Sequence, residues 1–490
     1  MDHPTQTLAP DLAADLDVVT TRPAVSAEVG EALRRLAAPL LAAEDAGREP
    51  DPGYVAALTA AAADAPPDRV APLLILLGVA AETGPGAHHA VRTGLDRYLA
   101  AGSARRTDPV LACALLYLLG HFPEDRAAIP PVADALPVSA DDRSRLDREL
   151  AAFDPGDPAI GRVWPAPSDW ELSSDERARD AAWLARLDPD RVRAMWRSDT
   201  RTLLAYSGAK ALWAVEHGMP GYRPAGVVPP QRSGPHAPPD AHAAALRCPS
   251  CRGGLTFTPA AAHCSACTVE HPVRDGILDL SAGVGDATAE MTRNVPLRYD
   301  QVLRPAFIRF MGGNWAGVLP VEDEDAYLAE HVRPGPGPVL DVGAGTGRWT
   351  SVLAERFGAG DVLAVDLNAA MLGRLRAALP DVPAVRAGAL ALPLADASMG
   401  AVVCWNALQA LPDASAVIGE IGRVLMPGGT FSLLTFRGAD DPLYRRFQTR
   451  PDGVVVFDPD ELAGMCAAAG MTVADMRLPG NCVIATFVRA

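Results

Sequence analysis

Two hydrophobic rhythms divide this chain. Between Ser26 and Phe153, apolar residues recur three and four positions apart in short segments separated by Pro, Gly and Asp. That spacing predicts helices near residues 29–43, 54–63, 70–81, 87–100, 109–120 and 127–135. Two stretches, 73–77 and 111–119, are apolar on nearly every side and are expected to be buried inner helices. Residues 172–218 keep the helical rhythm, with Trp183, Leu187, Val192, Met195 and Trp196 as an apolar stripe. Past residue 335 the pattern changes. Apolar runs at 338–342, 361–366, 383–386, 399–404, 429–436, 471–477 and 483–489 read as strands, with helices at 347–357, 369–378, 413–425 and 458–469 between them. Such alternation predicts an α/β doubly wound, Rossmann-like domain with a seven-stranded sheet. Pro479-Gly480-Asn481 splits the last two strands into an antiparallel hairpin.

Seven prolines punctuate residues 219–244, a density that favours an extended spacer. The expected organisation is an all-α domain over 1–218, a linker over 219–244, a small cysteine-bearing module over 245–281, a lid segment over 282–334 and the α/β domain over 335–490. The helical part resembles an α-solenoid of the HEAT type. No strict repeat survives inspection, and an irregular bundle fits the same pattern.

Composition narrows the function. Apolar residues make up 49% of the 490 and charged residues 21%, which is a globular balance with a sizeable core. The net charge is −16 and both halves share the deficit: 34 acids against 24 bases over 1–240, and 23 against 17 over 282–490. No region offers the basic field that non-specific nucleic-acid binding needs. Lys210 is the only lysine, and the abundance of Ala, Gly, Pro and Arg points to codon bias as one source of the composition. The acidic N-terminus Met1-Asp2-His3 carries no secretory pattern, and the longest apolar run, 70–81, is too short to span a bilayer. The expectation is a cytoplasmic protein without a membrane partner.

After the spacer, Cys248-Pro-Ser-Cys251 and Cys264-Ser-Ala-Cys267 stand twelve residues apart. Two such knuckles place four thiolates tetrahedrally about one zinc, a closed site whose role is structural.

The densest chemistry lies in Val339-Leu340-Asp341-Val342-Gly343-Ala344-Gly345-Thr346-Gly347, an apolar strand ending in an acid and a glycine turn before a helix. Glycine at 343, 345 and 347 allows close approach of backbone to a ligand, and the helix N-terminus offers free N–H groups. The spacing D-x-G-x-G-x-G is not the G-x-G-x-x-G of dinucleotide sites. Nineteen residues after Gly347 a second apolar run ends in Asp366, placed to accept the hydroxyls of a ribose. An acid at each of two strand ends suits a nucleoside whose other end is a zwitterion.

These residues resemble the S-adenosylmethionine site of class I methyltransferases. The segment Ile421-Gly-Arg-Val-Leu-Met-Pro-Gly-Gly429 and the stretches Asp396-Ala-Ser398 and Asn406–Asp413 match the ubiquinone-biosynthesis-like branch. Residues 270–280 also resemble the tail that follows zinc ribbons fused to such enzymes. The resemblance implies that Gly343, Ala344 and Gly345 pass their backbone under the methionine moiety, with Asp341 near its ammonium. It implies that Asp366 holds the ribose, Leu367 and Met371 flank the adenine, and Asn406 lies beside the methionine tail. Where relatives read the adenine amine with Gly-Asp-Ala, this chain has Ala387-Gly388-Ala389, so one adenine contact is missing and the resemblance leaves only backbone at Gly388 and Ala389 to serve there.

The acceptor side is less determined. Cys404-Trp405-Asn406-Ala407 stands where adenine-N6 enzymes carry D-P-P-Y. Tyr299, Arg304, Trp315, Gln409, Arg437, Tyr444 and Arg445 are candidate substrate contacts, and Tyr299, Asp300 and His331 are candidate catalytic groups, the last two as general bases. Three functions follow: methyl transfer to N or O of a small molecule or peptide, as in bacterial secondary metabolism; rRNA guanine N-methylation; and a scaffold with a degenerate site. The helical domain is a candidate docking element for a protein or peptide partner.

Overall fold

The computed structural model describes the chain apart from residues 1–9, 24, 105–106, 222–238, 282–283 and 285–294. Most of the proline-rich spacer and the front of the expected lid segment therefore lie outside the described residues. The chain divides into two compact units. One comprises Met1–Tyr222 with Ala439–Asp452, and the other Arg223–Gly438 with Gly453–Ala490.

The helical unit is built on three helices that all touch one another: Ala71–Glu82, Pro109–Leu119 and Pro189–His217. The first two are the expected inner helices, buried from Ala71 to Ala81 and from Leu111 to Leu119. Each is apolar all round, so burial on every side is the only arrangement that removes it from water. Asp108 starts the second by accepting the N–H groups of Val110 and Leu111, with Pro109 in the first turn. Gly78 lets the two approach, since a Cβ there would lie 2.4 Å from the Tyr117 ring. The long helix also packs against Ala27–Asp45 and Ala140–Leu150. In a solenoid each repeat meets only its neighbours. A helix shared by partners from along the unit is bundle packing instead.

Residues 439–452 join this unit rather than the α/β domain in which the hydrophobic rhythm places them. Their helix, Pro442–Gln448, sets the Phe447 ring edge-on to Tyr117 with centroids 5.5 Å apart. Phe447 also fills the space over Gly208, where a Cβ would sit 2.4 Å from the ring. Arg446 bonds Glu44 at 2.6 Å and Glu82 at 3.0 Å, and Arg450 reaches both acids. Burial alone would raise the Glu82 pKa, but Arg446, His121 and Arg450 outweigh it and hold that carboxyl below the usual range. An amphipathic segment carries no label saying which core it fills, so the linear pattern could not place it.

Among the described residues of the other unit eleven strands form one sheet, where seven were expected. They are β1 Leu255–Phe257, β2 Ala261–Cys264, β3 Glu270–Arg274, β4 Ile277–Asp279, β5 Val339–Val342, β6 Val362–Asp366, β7 Ala384–Arg386, β8 Met399–Trp405, β9 Leu425–Phe436, β10 Met471–Arg477 and β11 Cys482–Arg489, in the order β1-β2-β3-β4-β7-β6-β5-β8-β9-β11-β10. The seven strands read from the apolar runs are β5 to β11. The other four add to their edge because β4 pairs in parallel with β7, Leu278 opposite Val385. Strands of three to five residues give too short an alternation to announce such pairing. Strand β9 begins at Leu425, four residues ahead of the apolar run, so Pro427-Gly428-Gly429 lies within the strand.

Parallel pairing of β7, β6, β5, β8 and β9 brings their carboxyl ends to one sheet edge, where open α/β folds bind ligands. The strands facing this arrangement are buried on both sides and read VLDV, VLAVD and MGAVVCW. No described helix is long and apolar enough to cross a membrane.

Arg446→Met keeps most of the side-chain volume but leaves the half-buried Glu44 and Glu82 carboxylates with Arg450 as their one remaining guanidinium partner. The helical unit should lose about 3 kcal/mol, the lower end of the range for breaking a buried pair because Arg450 remains. Guanidinium unfolding reads this as an earlier transition for the helical unit; an unchanged midpoint would show that the pair does not support this core.

Candidate functional site

The site is assembled by the loops that follow β5, β6, β7 and β8. Gly343, Gly345 and Gly347 have φ of 72°, 54° and 89°, a region that costs any other residue strain. They need glycine for different reasons. A Cβ on Gly343 would strike Ala407 at 2.6 Å, and one on Gly347 would strike Leu375 at 2.8 Å. A Cβ on Gly345 would meet nothing closer than 3.9 Å, so this glycine borders open space. The turn is tied to β6 by Gly343 N–H and Ala344 N–H, which both donate to the Val365 carbonyl at 2.8 and 3.1 Å.

Asp366, at the end of β6, is half-buried. Its carboxylate accepts from Gly345 N–H at 2.9 Å and from Asn368 N–H at 2.8 Å. Leu367 and Met371 follow, half-buried at the start of the next helix, Ala369–Ala378. After β7, Ala387 N–H donates to the Asp366 carbonyl, which brings Gly388 and Ala389 beside the same strand end. A Cβ on Gly388 would have no atom within 4 Å. Asp341 lies beneath the turn, 2% exposed, with Thr350 Oγ1 donating to it at 2.6 Å. Burial pushes its pKa up to about 7 against the pull of that hydroxyl, with Asp366 adding to the rise.

Asn406 closes the opposite wall. It follows β8 in the left-handed region at φ 57°, and its Nδ2 donates to Tyr299 Oη at 3.3 Å. Tyr299 begins a short π-helical turn, Tyr299–Leu303. The next residue, Asp300, accepts from Thr346 Oγ1 at 2.9 Å on both oxygens. Burial raises the Asp300 pKa, opposed by Thr346 and nearby arginines. Tyr299, Asp341, Gly345 and Trp405 share the wall of one cavity. Of the three candidate catalytic groups, Tyr299 and Asp300 therefore meet the glycine turn.

His331 does not. Its ring stacks on Tyr327 at 4.1 Å and reaches Arg477 at 3.2 Å and Asp475 at 3.8 Å, both on β10. That edge strand is four places from β5 in the sheet, roughly 19 Å at one strand spacing each. A histidine at the end of an amphipathic helix points wherever packing turns it, which sequence position alone does not reveal. Several candidate substrate contacts also prove internal. Trp315 is 2% exposed, Gln409 2%, and Arg304 is buried against Glu324 with its guanidinium 4.1 Å over the Trp349 ring. Tyr444 and Arg445 belong to the helical unit. Two groups at the site escaped the motif reading: Thr350, which bonds Asp341, and Glu324, which accepts from Trp405 Nε1 at 2.8 Å. The acidic run 322–325 was the available signal for Glu324, but nothing in it distinguished the one buried member.

The four cysteines are brought together, every Sγ within 4.8 Å of the others. Ala266 and Cys267 N–H groups donate to Cys264 Sγ at 3.4 and 3.5 Å, the knuckle pattern that orients a thiolate. Four sulfurs tetrahedral about zinc at 2.3 Å would be about 3.8 Å apart, close to the 3.6 Å of Cys248 and Cys267. The donor set fits the ion.

The glycine turn fits a flat, polyfunctional ligand equally well. Gly345 and Gly388 each border open space, the Asp366 carboxylate is bonded to Gly345 N–H, and Asp341 lines the same cavity as Gly345, a setting that suits a group with hydroxyls and a cation. Comparison with known proteins agrees. Residues 339–429 match the family model of a methyltransferase domain. The malonyl-[acyl-carrier protein] O-methyltransferase of Methylococcus capsulatus is 38% identical over 131 residues, 26% of this chain and 48% of that protein. The trans-aconitate 2-methyltransferase of an Azoarcus species is 36% identical over 117 residues, 23% of this chain and 44% of that protein. The chain thus spans about half the length of these curated relatives. For the demethylmenaquinone methyltransferase of Thermus thermophilus the match is 31% over 166 residues, 28% of this chain but 76% of that protein. A match of that extent, together with a methyltransferase-domain model over residues 339–429, places the chain in the family of S-adenosylmethionine-dependent methyltransferases.

Proposed function

We propose that this protein transfers a methyl group from S-adenosylmethionine to a nitrogen or oxygen of a small molecule or peptide. One juxtaposition carries the reading: the positive-φ turn after β5 holds the Asp366 carboxylate on Gly345 N–H, and shares its cavity with Tyr299, whose hydroxyl accepts from the Asn406 carboxamide after β8. Bound there, S-adenosylmethionine would supply a methyl carbon made electrophilic by its sulfonium.

The chain's own residues would hold and align it. Asp366 would accept the ribose hydroxyls, and Leu367 and Met371 would flank the adenine. Backbone at Gly388 and Ala389 would meet the purine edge. Gly343, Ala344 and Gly345 would lie along the methionine part, with Asp341 balancing its ammonium and Asn406 beside it. Tyr299 and Asp300 then bound the acceptor side. Asp300, with its proton affinity raised by burial, is suited to take a proton from a hydroxyl or amine as its methyl bond forms. Alignment supplies most of the rate in such an in-line displacement.

A net charge of −16 and relatives named for malonyl-[acyl-carrier protein], trans-aconitate and demethylmenaquinone support an acceptor other than nucleic acid. We assign recognition of a peptide or protein partner to the helical unit. Cys248, Cys251, Cys264 and Cys267 we assign to one structural zinc, which would fasten β1 and β2 to the sheet edge.

Asp366→Ala should weaken S-adenosylmethionine binding roughly ten- to hundredfold, the loss of charged hydrogen bonds. Calorimetry checks this, and wild-type affinity in a folded variant would remove Asp366 from the ribose. The pH dependence has a definite sign. The ammonium prefers ionised Asp341, so below its pKa of about 7 the proton competes and affinity falls with pH. The fall approaches tenfold per unit well below that value, and Asp341→Asn should abolish it. For the metal, emission spectrometry should find one zinc per chain and almost none in Cys264→Ser, with a lower melting temperature; a zinc-free wild type folded equally well would remove the ion from the structure.

A further inference from the structure

Gln409 stands out among buried polar side chains because every bond it makes converges on one strained residue or on what braces it. Its side-chain Nε2 donates to the Asn406 carbonyl at 2.8 Å and approaches Asn406 Oδ1 at 3.4 Å. Its Oε1 accepts from Thr435 Oγ1, near the end of β9, at 3.3 Å. Its main-chain carbonyl accepts from Val455 N–H at 3.0 Å. With 2% exposure it is closed to any acceptor molecule.

Asn406 itself is one of five non-glycine residues with positive φ among the described residues, and the one that follows a central parallel strand. Its N–H is fixed by the Leu434 carbonyl at 2.9 Å, so the carbonyl side decides whether the left-handed turn holds. A relaxed backbone there would swing the carboxamide away from Tyr299. Strain of this kind persists only where the surroundings over-determine it.

We propose that Gln409 is a positioning residue for methyl transfer: it clamps Asn406 in its left-handed conformation and so aims the Asn406 carboxamide into the cofactor cleft. The proposal rests on the reading of Asn406 as a neighbour of the methionine tail. It makes the brace wider than the loop itself, because Thr435 and Val455 lie on the two stems from which residues 439–452 depart. Gln409 is therefore the point where those stems meet the site.

The test uses the full chain and a double-mutant cycle on S-adenosylmethionine binding by calorimetry. Gln409→Leu should weaken binding about tenfold, the release of one strained conformation, and Asn406→Gly should weaken it by a similar factor. The double variant should bind no worse than Asn406→Gly alone, since glycine needs no clamp and offers no carboxamide. Hydrogen exchange of the peptide 404–411 should rise in Gln409→Leu, independently of ligand. Thr435→Val, a milder change, should give a smaller loss that also vanishes with Asn406→Gly. Losses that add in the double variant would overturn the clamp, as would wild-type affinity in both Gln409→Leu and Thr435→Val. Wild-type affinity in Asn406→Gly would overturn the reading of the site and the clamp with it.

Discussion

The pair of hydrogen bonds from Gly343 and Ala344 to the Val365 carbonyl is the constraint on which the site depends. It locks the turn after β5 onto the end of β6 and so sets Asp366 against Gly345 N–H. Only glycine can hold the turn, and only parallel pairing of β5 with β6 brings the two ends level. The other ligand-facing groups follow from the same sheet. β7 delivers Gly388 and β8 delivers Asn406 because each is in register with its neighbour and runs the same way.

Charge in the site is arranged by burial more than by pairing. Asp341 is held almost out of water with one hydroxyl donor, so its proton affinity rises toward neutrality. A cation brought near it would gain more than the same cation at an exposed acid. Glu324 is also buried and raised, but Arg304 and Trp405 both donate to its Oε2, which ties its helix and Arg304 to the end of β8. Two buried acids a short distance apart in sequence terms thus serve different ends, one facing the cleft and one closing the wall.

The helical unit follows different physics. Its three central helices need no special residues beyond apolar ones, yet its core is completed by Phe447 and by a buried ion network on Arg446. Such a network contributes little over a hydrophobic filling of the same volume, but it is costly to break one-sidedly. It therefore specifies which segment belongs in the core. Residues 439–452 are consequently part of two continuities, that of the chain leaving β9 and that of the bundle.

Local pattern alone determined a good deal here. The inner helices, the strands from β5 to β11, the glycine turn, Asp366 and the cysteine knuckles all lie where spacing and residue type put them, because each depends on neighbours a few positions away. What tertiary structure decided was every question of which distant groups meet. It set His331 against β10, buried Gln409 behind Asn406, added β1 to β4 to the sheet edge and drew residues 439–452 into the helical core. Periodicity records that a face is apolar and that a side chain is polar. It does not record which of several compatible partners excludes water best, and that choice is made only when the whole chain packs.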